Sequence, residues 1–166
     1  MENITQSPAL DEEVRREARG PSLVGVAADL ARGVCRHLVA AGYGCLLEVP
    51  LRSGRRADVM ALGAKGEILI VEIKSGRQDF RTDRKWPDYR DFCDRLSFAV
   101  GADFPQELIP GDVGLMLADR YGAAAIRDGP RHPLAPARRK AVCLRFAQIA
   151  AVRLQAKLDP ATFVAP

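Results

Sequence analysis

Asp58 lies in the stretch Arg56-Ala57-Asp58-Val59-Met60, and fourteen positions on, Glu72 and Lys74 lie in Ile70-Val71-Glu72-Ile73-Lys74. Both stretches read as strands, and a carboxylate carried into a buried strand is costly unless it is paired or binds a metal. A divalent ion meets that requirement. Mg²⁺ or Mn²⁺ held by two carboxylates stabilises charge on a scissile phosphate and supplies a nucleophilic water, so the pattern points to phosphodiester hydrolysis. Asp58 and Glu72 are the expected metal ligands, with the main-chain carbonyl of Ile73 completing the protein's share. Lys74 is then the catalytic base or the cation that orients the water and steadies the phosphate. Two carboxylates could instead do acid–base work on a sugar, but the adjacent Lys and the strand setting fit phosphoryl chemistry better.

The elements that must gather these residues are visible in the chain. Side chains alternate along a strand, so Ile68, Ile70, Glu72 and Lys74 share one face, and Leu69, Val71 and Ile73 the other. Strands are predicted over 45–49, 57–62 and 67–74, the first stopped by Pro50 and the last two joined as a hairpin through Gly63-Ala64-Lys65-Gly66. Upstream, Leu23, Val26, Ala27, Leu30, Val34 and Leu38 recur at helical spacing, which predicts a helix over 23–41 capped by Ser22 and ended by Gly42. Downstream come a polar loop over 75–85 and a short helix over 86–93 with Pro87 in its first turn. A strand over 96–100, a hairpin of 113–118 with 123–127 and a helix over 137–157 complete the order. The fold class is α/β, a mixed central sheet flanked by helices.

At 166 residues the chain suits one core and not two. Residues 1–20 carry a net charge of −2 and are expected as a flexible tail, with a single domain over 21–166. The rest of the chain is +6, and 20 of the 25 basic residues are Arg, whose planar fork suits phosphate oxygens. Cys35, Cys45, Cys93 and Cys143 form no Cys-x-x-Cys pair and there are two His, which argues against a zinc site. No apolar run approaches ~18 residues and no hydrophobic leader opens the chain, so the expectation is a cytoplasmic protein with no membrane partner. Residues 77–95 interleave six basic residues with five Asp, which often pair across a helix surface.

Four segments carry a family resemblance: Ser53 to Asp58, Gly66 to Ser75, Asp83 to Arg95, and Leu134 to Lys140. Over residues 23–157 they resemble the MmcB family of bacterial DNA-repair proteins. The α-β-β-β-α-β order with Asp58…Glu72-x-Lys74 looks like the PD-(D/E)xK nuclease superfamily and its restriction-endonuclease-like core. The resemblance implies a Mg²⁺- or Mn²⁺-dependent endonuclease that cuts damaged or branched DNA, with DNA and other repair proteins as partners. Two departures are visible. Ala57 stands where the motif's name has Pro, and the first helix offers Asp29 but no Glu of the kind many relatives add to the site, so Glu48 is the substitute ligand. Arg52, Arg55, Arg56, Arg84 and Lys85 are the expected DNA contacts, mainly to phosphates, with little sequence preference and strong salt dependence. The alternative is a nuclease fold that binds DNA or a partner without turnover; whether Asp58 and Glu72 hold a divalent ion separates the two.

Overall fold

Leu30, Val34 and Leu38, three residues of the helical stripe, are the buried face of α1, Gly25–Ala40. In the computed structural model the described residues are 23–83 and 85–163, together with Val14, Arg15 and Ala18, whose backbone is helical. The rest of the expected tail, the Gly20-Pro21-Ser22 break and Arg84 lie outside them. The N-cap position of α1 is Val24, with no capping side chain, where Ser22 was expected. At the other end Gly42, at φ 89°, donates to Val39 O at 3.0 Å and stops the helix as anticipated.

Three strands follow as a meander: β1 (Gly44–Pro50), β2 (Arg56–Leu62) and β3 (Ile68–Lys74), each antiparallel to the one before. The chain then makes a short helix α2 (Arg77–Thr82) and a 3₁₀ helix (Trp86–Phe92), and enters β4 (Arg95–Val100) parallel to β3. β5 (Gly114–Ala118) lies parallel to β4, and β6 (Ala123–Arg127) returns antiparallel to β5 before the long helix α3 (Pro136–Leu158). The result is one mixed six-stranded sheet in the order β1-β2-β3-β4-β5-β6, flanked by helices. The expected α/β class holds.

Strand alternation sorts the core into two layers. Val59, Val71, Ile73, Ala99 and Met116 pack with α1, whereas Met60, Ile68, Ile70, Phe98 and Val100 pack with Tyr89 and with Phe146 and Ile149 of α3. Glu72 and Lys74 continue the Ile68 and Ile70 row, so they point into the second layer at the end of β3.

Two expectations need correction. The polar loop predicted over 75–85 contains α2, because Phe80 packs edge-on against Phe98 at 5.4 Å and anchors a turn that is otherwise polar. The helix predicted over 86–93 is a 3₁₀ helix. Pro87 removes a main-chain donor, Tyr89 is its one buried residue, and Cys93 is already extended towards β4.

Asp94 fastens these parts together. It is 2% exposed, its carboxylate accepts from the N–H groups of Ile68 (2.8 Å) and Leu134 (3.0 Å), and the Arg139 fork binds it at 2.7 and 2.5 Å. One side chain thus joins the starts of β3, β4 and α3. Among the described residues no helix is long and apolar enough to cross a membrane.

Candidate active site

β2 and β3 pair regularly as far as Val59 opposite Val71, a register that brings Asp58 alongside Glu72 one step further on. There side chains replace the main-chain ladder. The N–H of Asp58 donates to Glu72 Oε1 at 3.2 Å, and the N–H of Ile73 donates to Asp58 Oδ2 at 2.9 Å. Each carboxylate therefore takes a donor from the opposite strand, and the two acids are fixed as neighbours. The pairing of Asp58 with Glu72 was readable from their spacing; this exchange of donors was not.

The electrostatics are those of an acid pair short of positive charge. Glu72 is 3% exposed, and burial, aided by the charge of Asp58, pushes its carboxyl up to about 8 against the pull of the Asp58 N–H and Lys74. Burial also raises Asp58, opposed by the Ile73 N–H and by Lys74 and Arg56. A buried Glu72 and a half-buried Asp58, both raised by burial and Glu72 also by the charge of Asp58, fit a cation. Their hard oxygens suit Mg²⁺ or Mn²⁺ and not a thiolate-seeking metal. Among the described residues no three His, Cys, Asp or Glu side chains are gathered so as to hold an ion, so such a cation would rest on this pair, main-chain oxygen and water. Ile73 contributes its N–H to the pair, and its side chain packs on the α1 side.

Lys74 lies beside the pair but is held from elsewhere. At 5% exposure its Nζ donates to Asp83 Oδ2 at 2.6 Å and lies 4.0 Å from Asp79 Oδ1. Phe98 lies under the ammonium, with its ring centroid 5.8 Å from Nζ. Both carboxylates come from α2 and the residue after it, which is why sequence reasoning missed them as part of the site. Tyr89 is a further residue at the site that the sequence did not single out. Its hydroxyl donates to Arg56 O at 3.1 Å, and burial beside Glu72 and Asp58 raises the phenol above its ordinary value, so the proton stays on.

Glu48 sits in β1 between the pairs Leu47 with Val59 and Val49 with Ala57, and so stands across from Asp58. Glu48, Asp58 and Glu72 form one row over three strands. Glu48 is 5% exposed and takes a left-handed φ of 49°, a conformation that costs a non-glycine residue roughly 1–3 kcal/mol. The twist breaks the pleat, and Val49 packs in the same layer as Leu46 instead of opposite it. Arg56 Nη2 holds the Glu48 carboxylate at 2.8 Å, and Arg153 of α3 donates to the carbonyls of Leu47 and Glu48. Glu48 is thus next in line to the pair but turned to Arg56.

The expected DNA contacts divide. Arg55 is held by Asp88 through two hydrogen bonds at 3.2 and 3.1 Å, and Arg56 by Glu48. Arg52 and Lys85 are exposed and have no ion pair among the described residues.

Comparison with known proteins agrees with this picture at the level of family. No curated protein matches the chain. A solved structure of a protein of unknown function from Silicibacter pomeroyi is 51% identical, with a TM-score of 0.79 over 82% of this chain and 94% of that one. A repair endonuclease from Pyrococcus abyssi is 16% identical, with a TM-score of 0.35 over 52% of this chain and 42% of that one, too distant to bear on fold or activity. The family of MmcB-like DNA repair proteins is matched over residues 18–161. The chain belongs to the MmcB-like DNA repair protein family.

Proposed function

We propose that this protein is a Mg²⁺- or Mn²⁺-dependent DNA endonuclease that hydrolyses phosphodiester bonds in damaged or branched DNA. The observation that carries the reading is the pair of half-buried Asp58 and buried Glu72, locked by reciprocal main-chain hydrogen bonds and both raised towards the protonated state by burial. A divalent ion bound there would polarise the phosphate and acidify a water.

This chain's own residues supply the rest. Asp58 and Glu72 would hold the ion, with the Ile73 carbonyl as a main-chain ligand, and the Asp58 N–H keeps Glu72 Oε1 oriented. Lys74, on the same face as Glu72, would place its ammonium against the attacking water or the phosphate once the Asp83 contact loosens. Arg52 and Lys85 would take neighbouring phosphates, and Arg55 and Arg56 would join them by exchanging Asp88 and Glu48 for DNA. Glu48 is the reserve ligand, one strand away and released by the same exchange of Arg56.

A second reading is a DNA- or partner-binding module without turnover, and the 2.6 Å ion pair between Lys74 and Asp83 favours it, since that contact keeps the ammonium occupied. Nicking of a branched or abasic DNA in Mg²⁺ tests the two. Activity that disappears in Asp58→Ala, Glu72→Ala and Lys74→Ala supports the enzyme; cleavage that persists in all three overturns the site.

A further inference from the structure

A cavity of about 690 Å³ opens between the end of β1, Met60 of β2, the 3₁₀ helix and α3. Its wall is apolar: Val49, Met60, Phe92 and Val142 contribute to it. Its rim carries Arg52 of the β1–β2 turn, exposed and with no ion pair among the described residues. The one acid lining it, Asp91, is already paired with Arg138 at 3.1 Å, so the site offers an incoming anion no uncompensated negative charge among its lining residues.

Position ties this cavity to the pair. Met60 follows Asp58 by two residues on β2 and faces the same layer, a separation of about 7 Å along the strand. Val49 follows Glu48, whose left-handed backbone turns Val49 into that layer. A strand whose phosphate sat at Asp58 and Glu72 would therefore bring the adjacent nucleotide to this opening. A nucleotide stacked in a duplex cannot enter a recess in the protein; an unpaired one can turn its base into it.

We propose that this cavity receives the base of an unpaired nucleotide, with Arg52 gripping a flanking phosphate. It makes the protein a reader of single-stranded, bulged or otherwise unpaired DNA. An apolar wall with an aromatic edge and a cationic rim is the combination that single-strand binding uses, with sequence-tolerant contact to the base and electrostatic contact to the backbone. The assignment deepens the reading of the neighbouring site as one that acts on DNA, and it concerns binding, not cleavage.

The test is fluorescence anisotropy in EDTA with the full chain and three dye-labelled DNAs: a single strand, its perfect duplex, and that duplex with a one-nucleotide bulge. The bulged and single-stranded DNAs are expected to bind about tenfold more tightly than the perfect duplex, the order of one base's contact with an apolar platform. Ala141→Trp, on the exposed side of α3, fills the cavity and should erase that preference while leaving duplex affinity in place. Circular dichroism and the melting temperature check that the variant is folded, and Ala137→Trp provides a second filled form from another exposed position. Equal affinities of the unmodified protein for the three DNAs would overturn the proposal, as would an intact preference in both folded Trp variants. A shift from dimer to monomer on filling the cavity, without DNA, would assign it to a second copy and also overturn it. Since EDTA removes any cleavage, loss of the nuclease reading leaves this result unaffected, and the reverse also holds.

Discussion

Asp58 and Glu72 hold one another through the main chain: the Asp58 N–H donates to Glu72 Oε1 at 3.2 Å, and the residue after Glu72 donates its N–H to Asp58 Oδ2 at 2.9 Å. Neither bond brings a counter-charge, so the pair is oriented without being neutralised. That arrangement makes ionisation of Glu72 the costly step in the absence of a cation.

The first consequence is a pH dependence of stability. Glu72 ionises at about 8 in the folded chain against an ordinary 4.5, so between these values the folded state holds a proton that the unfolded state has lost. Stability from this group is fully present below about 4.5 and is lost as pH rises through about 8. In EDTA the melting temperature is expected to fall over that window, and Glu72→Gln should flatten the fall. A wild-type profile no steeper than the variant's would contradict it.

Lys74 and Asp83 give a second. Asp83→Ala leaves a buried ammonium whose remaining ion pair among the described residues is the 4.0 Å contact to Asp79, and should cost roughly 3 kcal/mol in urea denaturation. Lys74→Met removes the buried charge while keeping an apolar side chain against Phe98, and should cost clearly less. The order of the two variants is the check; a milder Asp83→Ala would mean that Lys74 has no need of this partner.

Asp94 should behave as a structural acid. Burial alone would raise its carboxyl, but the Arg139 fork and the Ile68 and Leu134 N–H groups outweigh that and hold it at about 2, below the ordinary 3.8. Its stabilisation is therefore complete above about 3.8 and lost as pH falls through about 2. Asp94→Ala is expected to destabilise by roughly 3 kcal/mol at pH 7, since it strands two buried N–H donors and the Arg139 charge. Chemical denaturation at pH 7 and an acid titration of the wild type measure both effects.

DNA affinity should separate the exposed cations from the paired ones. Arg52→Ala and Lys85→Ala are each expected to lower the slope of log affinity against log salt by about 0.9 on duplex DNA. Arg55→Ala should change it less, because Asp88 already engages that side chain. Equal slopes for the three variants would show that the ion pair does not govern the contact.

Much of this was legible because strand periodicity is local. The alternation of Ile68, Ile70, Glu72 and Lys74 against Leu69, Val71 and Ile73 needs no knowledge of the fold, and the hairpin turn then aligns Asp58 with Glu72. What depended on distant packing was not legible. α2 rests on Phe80 meeting Phe98, so Asp79 and Asp83 looked like loop charges and not like the partners of Lys74. Asp94 resembled its charged neighbours until the starts of β3 and α3 closed around it. Glu48, taken from sequence for the end of a strand, is buried in a left-handed turn of the backbone, and nothing in Leu47-Glu48-Val49 announces that.

The central claim is that Asp58 and Glu72 hold a divalent ion, and calorimetric titration with Mn²⁺ at pH 7 tests it most directly. The expected result is saturable binding by the wild type with release of a proton, since Glu72 must ionise to bind, and at least a tenfold loss of affinity in folded Glu72→Gln. No binding by the wild type, or equal binding by Glu72→Gln, would contradict it.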